Sequence, residues 1–169
     1  MVEKDTVFNG KLKQKGIFNF KDFYEFLYDY LYDENYDVFE TKYSEKITGD
    51  SKSIEIEWRA TKEISDYFRF EIHSHWLILG LKKVKVKKDD QEISMDSGSI
   101  EIKFTASLQK DYENRWESNA FIKFLRGIYD RYIIRTRIDD HELILFRDVN
   151  EFIAQVKSYL AIEGQHSIP

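Results

Sequence analysis

The chain has 169 residues, 42% hydrophobic and 16% aromatic, with a net charge of −5. That is the size of one domain with a sizeable core, which excludes a disordered chain, and the acidic balance argues against a dedicated nucleic-acid binder. The absence of cysteine excludes disulfides and thiolate metal sites. The longest apolar run, Trp76 to Leu79 with Gly80 and Leu81 beyond it, falls far short of the roughly 20 residues of a membrane helix, and the first ten residues lack the apolar core of a secretion signal. A cytoplasmic location is therefore expected.

Taken in order, Thr6 to Lys15 predicts a first strand, and Asn19 caps a helix to about Glu34. Phe23, Phe26, Leu27, Tyr30 and Leu31 form its buried stripe, with Asp22, Glu25, Asp29, Asp33 and Glu34 on the wet side. The period then changes to two. Phe39, Thr41, Tyr43 and Ile47 share one side of a strand. Ile54, Ile56, Trp58 and Ala60 point inward on the next, and Phe68, Phe70, Ile72, Ser74 and Trp76 on the one after. Val84 and Val86 follow, then Ile100, Ile102, Phe104, Ala106 and Leu108. Residues 64–66, 89–90 and 97–98 read as hairpin turns. The inward parity slips by one near Gly80, so a bulge or bend is expected there.

From Ser118 the pattern is helical. Phe121, Leu125, Ile128 and Tyr132 make one stripe, and Leu145, Val149, Phe152, Val156 and Tyr159 another. Asp139 and Glu142 resemble a capping box, which predicts a break or kink near 136–140, and the helix ends near Gly164. The expected fold is a single α+β domain over 1–164 with a flexible tail at 165–169. A curved antiparallel sheet of about six to seven strands packs on a long C-terminal helix, straight or kinked, and buries both stripes, with one helix after the first strand.

This element order resembles the helix-grip (START-like) arrangement of lipid- and hormone-binding domains, although that family has two short helices after its first strand. The stretches "YENRW" and "FLRGIYDRYI" resemble uncharacterised small archaeal proteins, a resemblance that implies no activity. The helix-grip resemblance implies a cavity between sheet and helix, lined by Phe70, Ile72, Trp76, Phe104, Leu125 and Tyr132.

His73 and His75 stand two apart on an outward strand face. In one register of the hairpin 53–79, Arg59 faces Arg69 and Glu57 faces Glu71, which repel. In the other, Arg59 faces Glu71, Glu57 faces His73 and Glu55 faces His75, while Trp58 meets Ile72 and Ala60 meets Phe70. The second is expected, and it makes the histidines partners in a charge ladder. Two His and two Glu are also a conceivable zinc set, but an open strand face lacks supporting groups, so no metal is assigned.

Residues 81–88 carry five lysines, read as an aggregation-resistant edge strand or as a contact for anionic membranes or phosphates. Arg126, Arg131, Arg135 and Arg137 would join them if the fold brought the two together. Residues 19–37 hold six acids, one lysine and eight aromatics, with Tyr24, Tyr28 and Tyr32 in a row that suits an interface, a pocket rim or a cap over the end of the sheet. Asp111, Glu113, Arg115 and Glu117 cluster beside Tyr112 and Trp116, read as a strand end with Trp116 packed inside. No catalytic motif, phosphate loop or cofactor signature occurs. The expected function is a non-enzymatic module binding an apolar small molecule or lipid in the cavity. The alternative is a fully packed interaction domain that uses its acidic aromatic helix or its basic strand, with a second copy among its partners.

Overall fold

The structure is a computed structural model and describes residues 3–115 and 119–164. Five strands form one open antiparallel sheet in the order β1-β5-β4-β3-β2. In chain order the elements are β1 (Glu3–Phe18), α1 (Phe20–Asp33), β2 (Asp37–Thr48), β3 (Ser51–Glu63), β4 (Phe68–Lys88), β5 (Gln91–Lys110), α2 (Ala120–Tyr132) and α3 (Arg135–Glu163). The count is five strands, not six to seven, because β4 and β5 run for 21 and 20 residues without a turn. Ser97 and Gly98 lie inside β5. Gly98 is instead a close-approach glycine: a Cβ there would stand 3.2 Å from the Leu79 carbonyl oxygen and the Leu81 Cα.

That close approach lies where β4 bends. Gly80 has φ +63, and the β4–β5 pairing shifts between Leu79 and Lys82. This is the bulge that the parity slip predicts. Leu81 and Val86 are buried beyond it, and the turn at Asp89–Asp90 has both residues at positive φ, as a two-residue hairpin requires. Past Leu81 the hairpin leaves β3 behind, and Ile17, Val86 and Met95 make a small core of their own.

One face of the sheet carries Ile54, Ile56, Trp58, Phe70, Ile72, Trp76, Ile102 and Phe104, all buried. Both α1 and α3 cover this face. Phe23 of α1 meets Trp76, with ring centroids 5.6 Å apart, and Phe152 of α3 meets Phe104 edge-on at 5.7 Å. The start of α1 is well defined: Asn19 Oδ1 accepts from the Asp22 N–H, and the buried Asp96 carboxylate accepts from the Phe20 N–H. Gly164 ends α3.

Four details depart from the expectations. The β3–β4 register lies two residues beyond the expected one, so Arg59 faces His73, Glu57 faces His75 and Ala60 faces Ile72. The loop decides this. The Ile64 and Ser65 N–H groups share the Phe68 carbonyl, and Ser65 Oγ accepts from the Tyr67 and Phe68 N–H groups. A slip of two keeps every side chain on its face, so the apolar pattern does not oppose it. Next, a bulge between Glu40 and Lys42 divides the set Phe39, Thr41, Tyr43 and Ile47: Phe39 pairs with outward Arg59, whereas Tyr43 pairs with inward Ile56. Third, the helical break falls at 133–134, not 136–140. Asp139 and Glu142 lie inside α3, whose first residue follows Ile134 with no side-chain cap. Finally, Phe121, Leu125, Ile128 and Tyr132 are not buried but exposed. Trp116 and the tail 165–169 lie outside the described residues.

Candidate functional site

The six residues expected to line a cavity do not come together. Phe70, Ile72, Trp76 and Phe104 are buried in the main core, while Leu125 and Tyr132 lie on the exposed face of α2. Trp76 is closed in by Trp58, Phe23 and Tyr24 at 4.6, 5.6 and 6.1 Å between ring centroids, and its indole N–H donates to Ser74 Oγ at 2.8 Å.

On the open face, one row across the sheet reads Lys11, Lys103, His75, Glu57, Lys42. His75 Nε2 stands 2.9 Å from Glu55 and 4.0 Å from Glu57. These three residues are near enough to share a cation; His73 is instead paired with Arg59. Lys42 already sits on Glu55 at 2.7 Å, and hydrogen bonds from Lys42 and then His75 hold the Glu55 carboxyl below the usual carboxylate range. With lysines supplying the positive charge, the cluster is an ion-pair ladder. Double-mutant cycles should find coupling for Glu55–His75 and none for Glu57–His73. Because the folded pKa of Glu55 is depressed, its contribution is present above about pH 4.5, its ordinary value, and is lost as pH falls through the folded value. Glu55→Gln should remove that part of the acid sensitivity in melting temperature. An unchanged acid limb would refute the ladder.

The Tyr24–Tyr28–Tyr32 row caps the sheet in part. Tyr24 packs edge-on to Trp58 at 4.9 Å and donates to Glu40 at 2.6 Å; burial and Glu40 push its hydroxyl up to about 12. Tyr28 reaches Trp58 at 6.2 Å, and Tyr32 is exposed. The lysines of 82–88 and the arginines of 126–137 form no common patch. They lie toward opposite ends of β4, separated by on the order of 40 Å of strand.

The unusual element is α2. A surface helix normally buries its apolar stripe. Here the one fully buried side chain is Arg126, and the apolar stripe faces outward: Phe121 is 68% exposed, Phe124 64%, Tyr132 73%, with Leu125 and Ile128 near 40%. The inversion is held by charge. Arg126 Nη2 lies 3.0 Å from Glu3 and Nη1 3.5 Å from the buried Asp111, while Nε lies 3.7 Å from Asp130 and donates to the Tyr67 hydroxyl at 3.3 Å. Burial, and then the hydrogen bond to Asp130, raise the Tyr67 hydroxyl well above its ordinary value, so it stays protonated and donates to Asp130 at 2.6 Å. Next to this network, Lys110 is gripped by Glu3 and Asp5 at 3.1 and 2.9 Å. The periodicity of α2 showed its stripe. It gave no sign that Arg126 would be the residue facing the sheet, because Glu3, Tyr67 and Asp111 are remote in sequence.

Where α2 meets α3, a cleft of about 180 Å³ opens between the elbow and the β3–β4 loop, with Phe68, Tyr129, Arg137 and His141 in its wall. Burial lowers the His141 pKa, and its buried Nδ1 has no hydrogen-bond partner among the described residues. Among the described residues, no helix is long and apolar enough to cross a membrane. No protein-family model, curated protein or solved structure matches the chain, so the reading of its function rests on this geometry alone.

Proposed function

We propose that the chain is a protein-interaction module that docks a second copy of itself through the exposed face of α2 and the adjoining start of α3. The observation that carries this reading is the inverted helix: a buried arginine is held by the carboxylates of Glu3, Asp111 and Asp130 among the described residues, and six large apolar side chains, Phe121, Phe124, Leu125, Ile128, Tyr132 and Ile133, are left in water. Each can bury about 100 Å², or roughly 600 Å² per copy before any rim, against ~800 Å² per partner in a standard interface.

Charge favours a second copy as the occupant. The exposed cations at the elbow, Arg131 and Arg135, lie close in the chain to the exposed acids Asp139 and Asp140 and the apolar Leu143 on the first turns of α3. A surface with both signs and an apolar centre is self-complementary about a two-fold axis, which pairs the basic side of one copy with the acidic side of the other. The enclosed aromatic core supports a packed module over a helix-grip lipid carrier, since Trp76 meets Phe23 of α1, Phe104 meets Phe152 of α3, and Phe70 and Ile72 are buried in the same core.

Sedimentation velocity over a concentration series tests the reading. The wild type should be a dimer at micromolar concentration. Phe124→Glu combined with Ile128→Glu should yield a monomer with an unchanged or raised melting temperature, because both positions face water in the single copy. A wild-type chain that stays monomeric at high concentration overturns the proposal, whether or not it then sediments with anionic vesicles.

A further inference from the structure

We propose that Glu55, Glu57 and His75, on the open face of the sheet, form a binding site for a divalent transition metal of the zinc class. The site does not rest on the docking of α2. It arises from the β3–β4 register. Were Glu57 opposite His73 and Glu55 opposite His75, each imidazole would have one carboxylate. In the structure Glu57 lies directly across from His75, and Glu55, two residues along β3, reaches the same ring. Both carboxylates thus converge on Nε2 of one histidine, and one ligand atom from each of the three residues lies within 4.8 Å of the others. Without a metal these groups form the ion-pair ladder; with one, the same atoms become its ligands.

The distances fit such an ion. Zinc binds imidazole nitrogen and carboxylate oxygen at about 2.0–2.2 Å in a tetrahedron, which sets neighbouring ligand atoms about 3.4 Å apart. His75 Nε2 stands 2.9 Å from Glu55 Oε1 and 4.0 Å from Glu57 Oε1, on either side of that value. Small side-chain rotations supply the difference, while the backbone is held by β2 and β4 on either side of β3 and by β5 beyond β4. The lysines nearby leave the ligating atoms clear. Lys42 holds Glu55 at 2.7 Å through Oε2, the oxygen that His75 does not use, and so orients the carboxylate as a supporting group does in a metal site. Lys103, across from His75 on β5, is exposed and can turn into solvent. One nitrogen and two oxygens suit zinc and its neighbours, whereas magnesium and calcium favour oxygen alone. Three protein ligands on an open face leave the fourth position to water.

Calorimetric titration of the metal-free full chain with zinc chloride tests the site, with magnesium chloride for comparison. One zinc per chain is expected, with a dissociation constant on the order of micromolar, and no saturable heat from magnesium at the same concentrations. His75→Gln and Glu57→Gln should each weaken zinc by about tenfold or more, since each removes a ligand. His73→Gln, on the same face but paired with Arg59, should bind as the wild type does. All three positions lie on the wet face of the sheet, so the variants should fold, and their melting temperatures without metal check that they do. Cobalt(II) in place of zinc should give the intense visible absorption of a four-coordinate ion, and His75→Gln should lose it. Three results would overturn the site: no saturable zinc binding up to millimolar concentration, binding untouched by His75→Gln, or an equal loss in His73→Gln, which would mark zinc scattered over surface histidines.

Discussion

Trp76→Ala is expected to destabilise the protein by roughly 3–5 kcal/mol, the range for removal of a fully packed aromatic side chain. Trp76 has no exposed surface and stands where β4 meets both α1 and β3. Its removal would leave a void walled by Trp58, Phe23 and Tyr24, three rings fixed from two elements that cannot all collapse inward. Ser74 Oγ would also lose the indole N–H that donates to it. A typical domain has about 5–15 kcal/mol in hand, so the urea midpoint should fall steeply while the slope stays unchanged. The same measurement separates the two readings of function. A tryptophan that lined an open cavity would already lack partners on one side, and its removal would cost well under this range. A loss below about 1.5 kcal/mol would therefore argue for a hollow core.

Arg126→Leu is expected to cost a similar amount, roughly 3–5 kcal/mol, for a different reason. The leucine fills most of the space but leaves Asp111, which is 2% exposed, and the facing carboxylates of Glu3 and Asp130 without their shared cation. Burial of the Asp111 carboxylate with this cation removed, not the lost attraction, carries the penalty. Arg126→Leu combined with Asp111→Asn should therefore recover part of the stability, which a packing defect would not. The double variant is the informative one: if it is no more stable than Arg126→Leu alone, the network is not what fixes α2.

How much of this was legible in the sequence depends on what each feature needs from afar. The inward faces of β3, β4 and β5 follow from a period of two within each strand, and the bulge at Gly80 follows from a slip in that period; both are local. The β3–β4 register is not. Wet-face charge pairs are worth only a few tenths of a kcal/mol, and the backbone hydrogen bonds of the 64–68 loop overrode them. Gly98 resembled a turn because glycine serves turns and close approaches alike. The stripe of α2 was read correctly as a stripe and wrongly as buried, because Arg126 turns the helix by partners lying far away in the chain. His141 carried no motif at all. Its packing against the Phe68 ring joins two distant parts of the chain, which is not visible in one dimension.

The place of β1 at the sheet edge, paired with β5 alone, sets an order of events during synthesis. The first strand made has its partner made more than a hundred residues later, at the join of Glu3 with Lys110. Meanwhile β4 and β5 can zip from the two-residue turn at Asp89–Asp90, a local step of microseconds. Closure of β1 onto that hairpin is the long-range step, and it should limit the folding rate. Until it happens, the β5 edge is open and β1 is unpaired. The lysines at 11, 13 and 15, spaced along one side of that waiting strand, keep it from joining the wrong chain. The buried Arg126 then works as a latch on this last join, since one of its carboxylates, 3.0 Å away, belongs to Glu3 at the very start of β1. The helix that presents the proposed docking surface is thereby seated only once the sheet is complete.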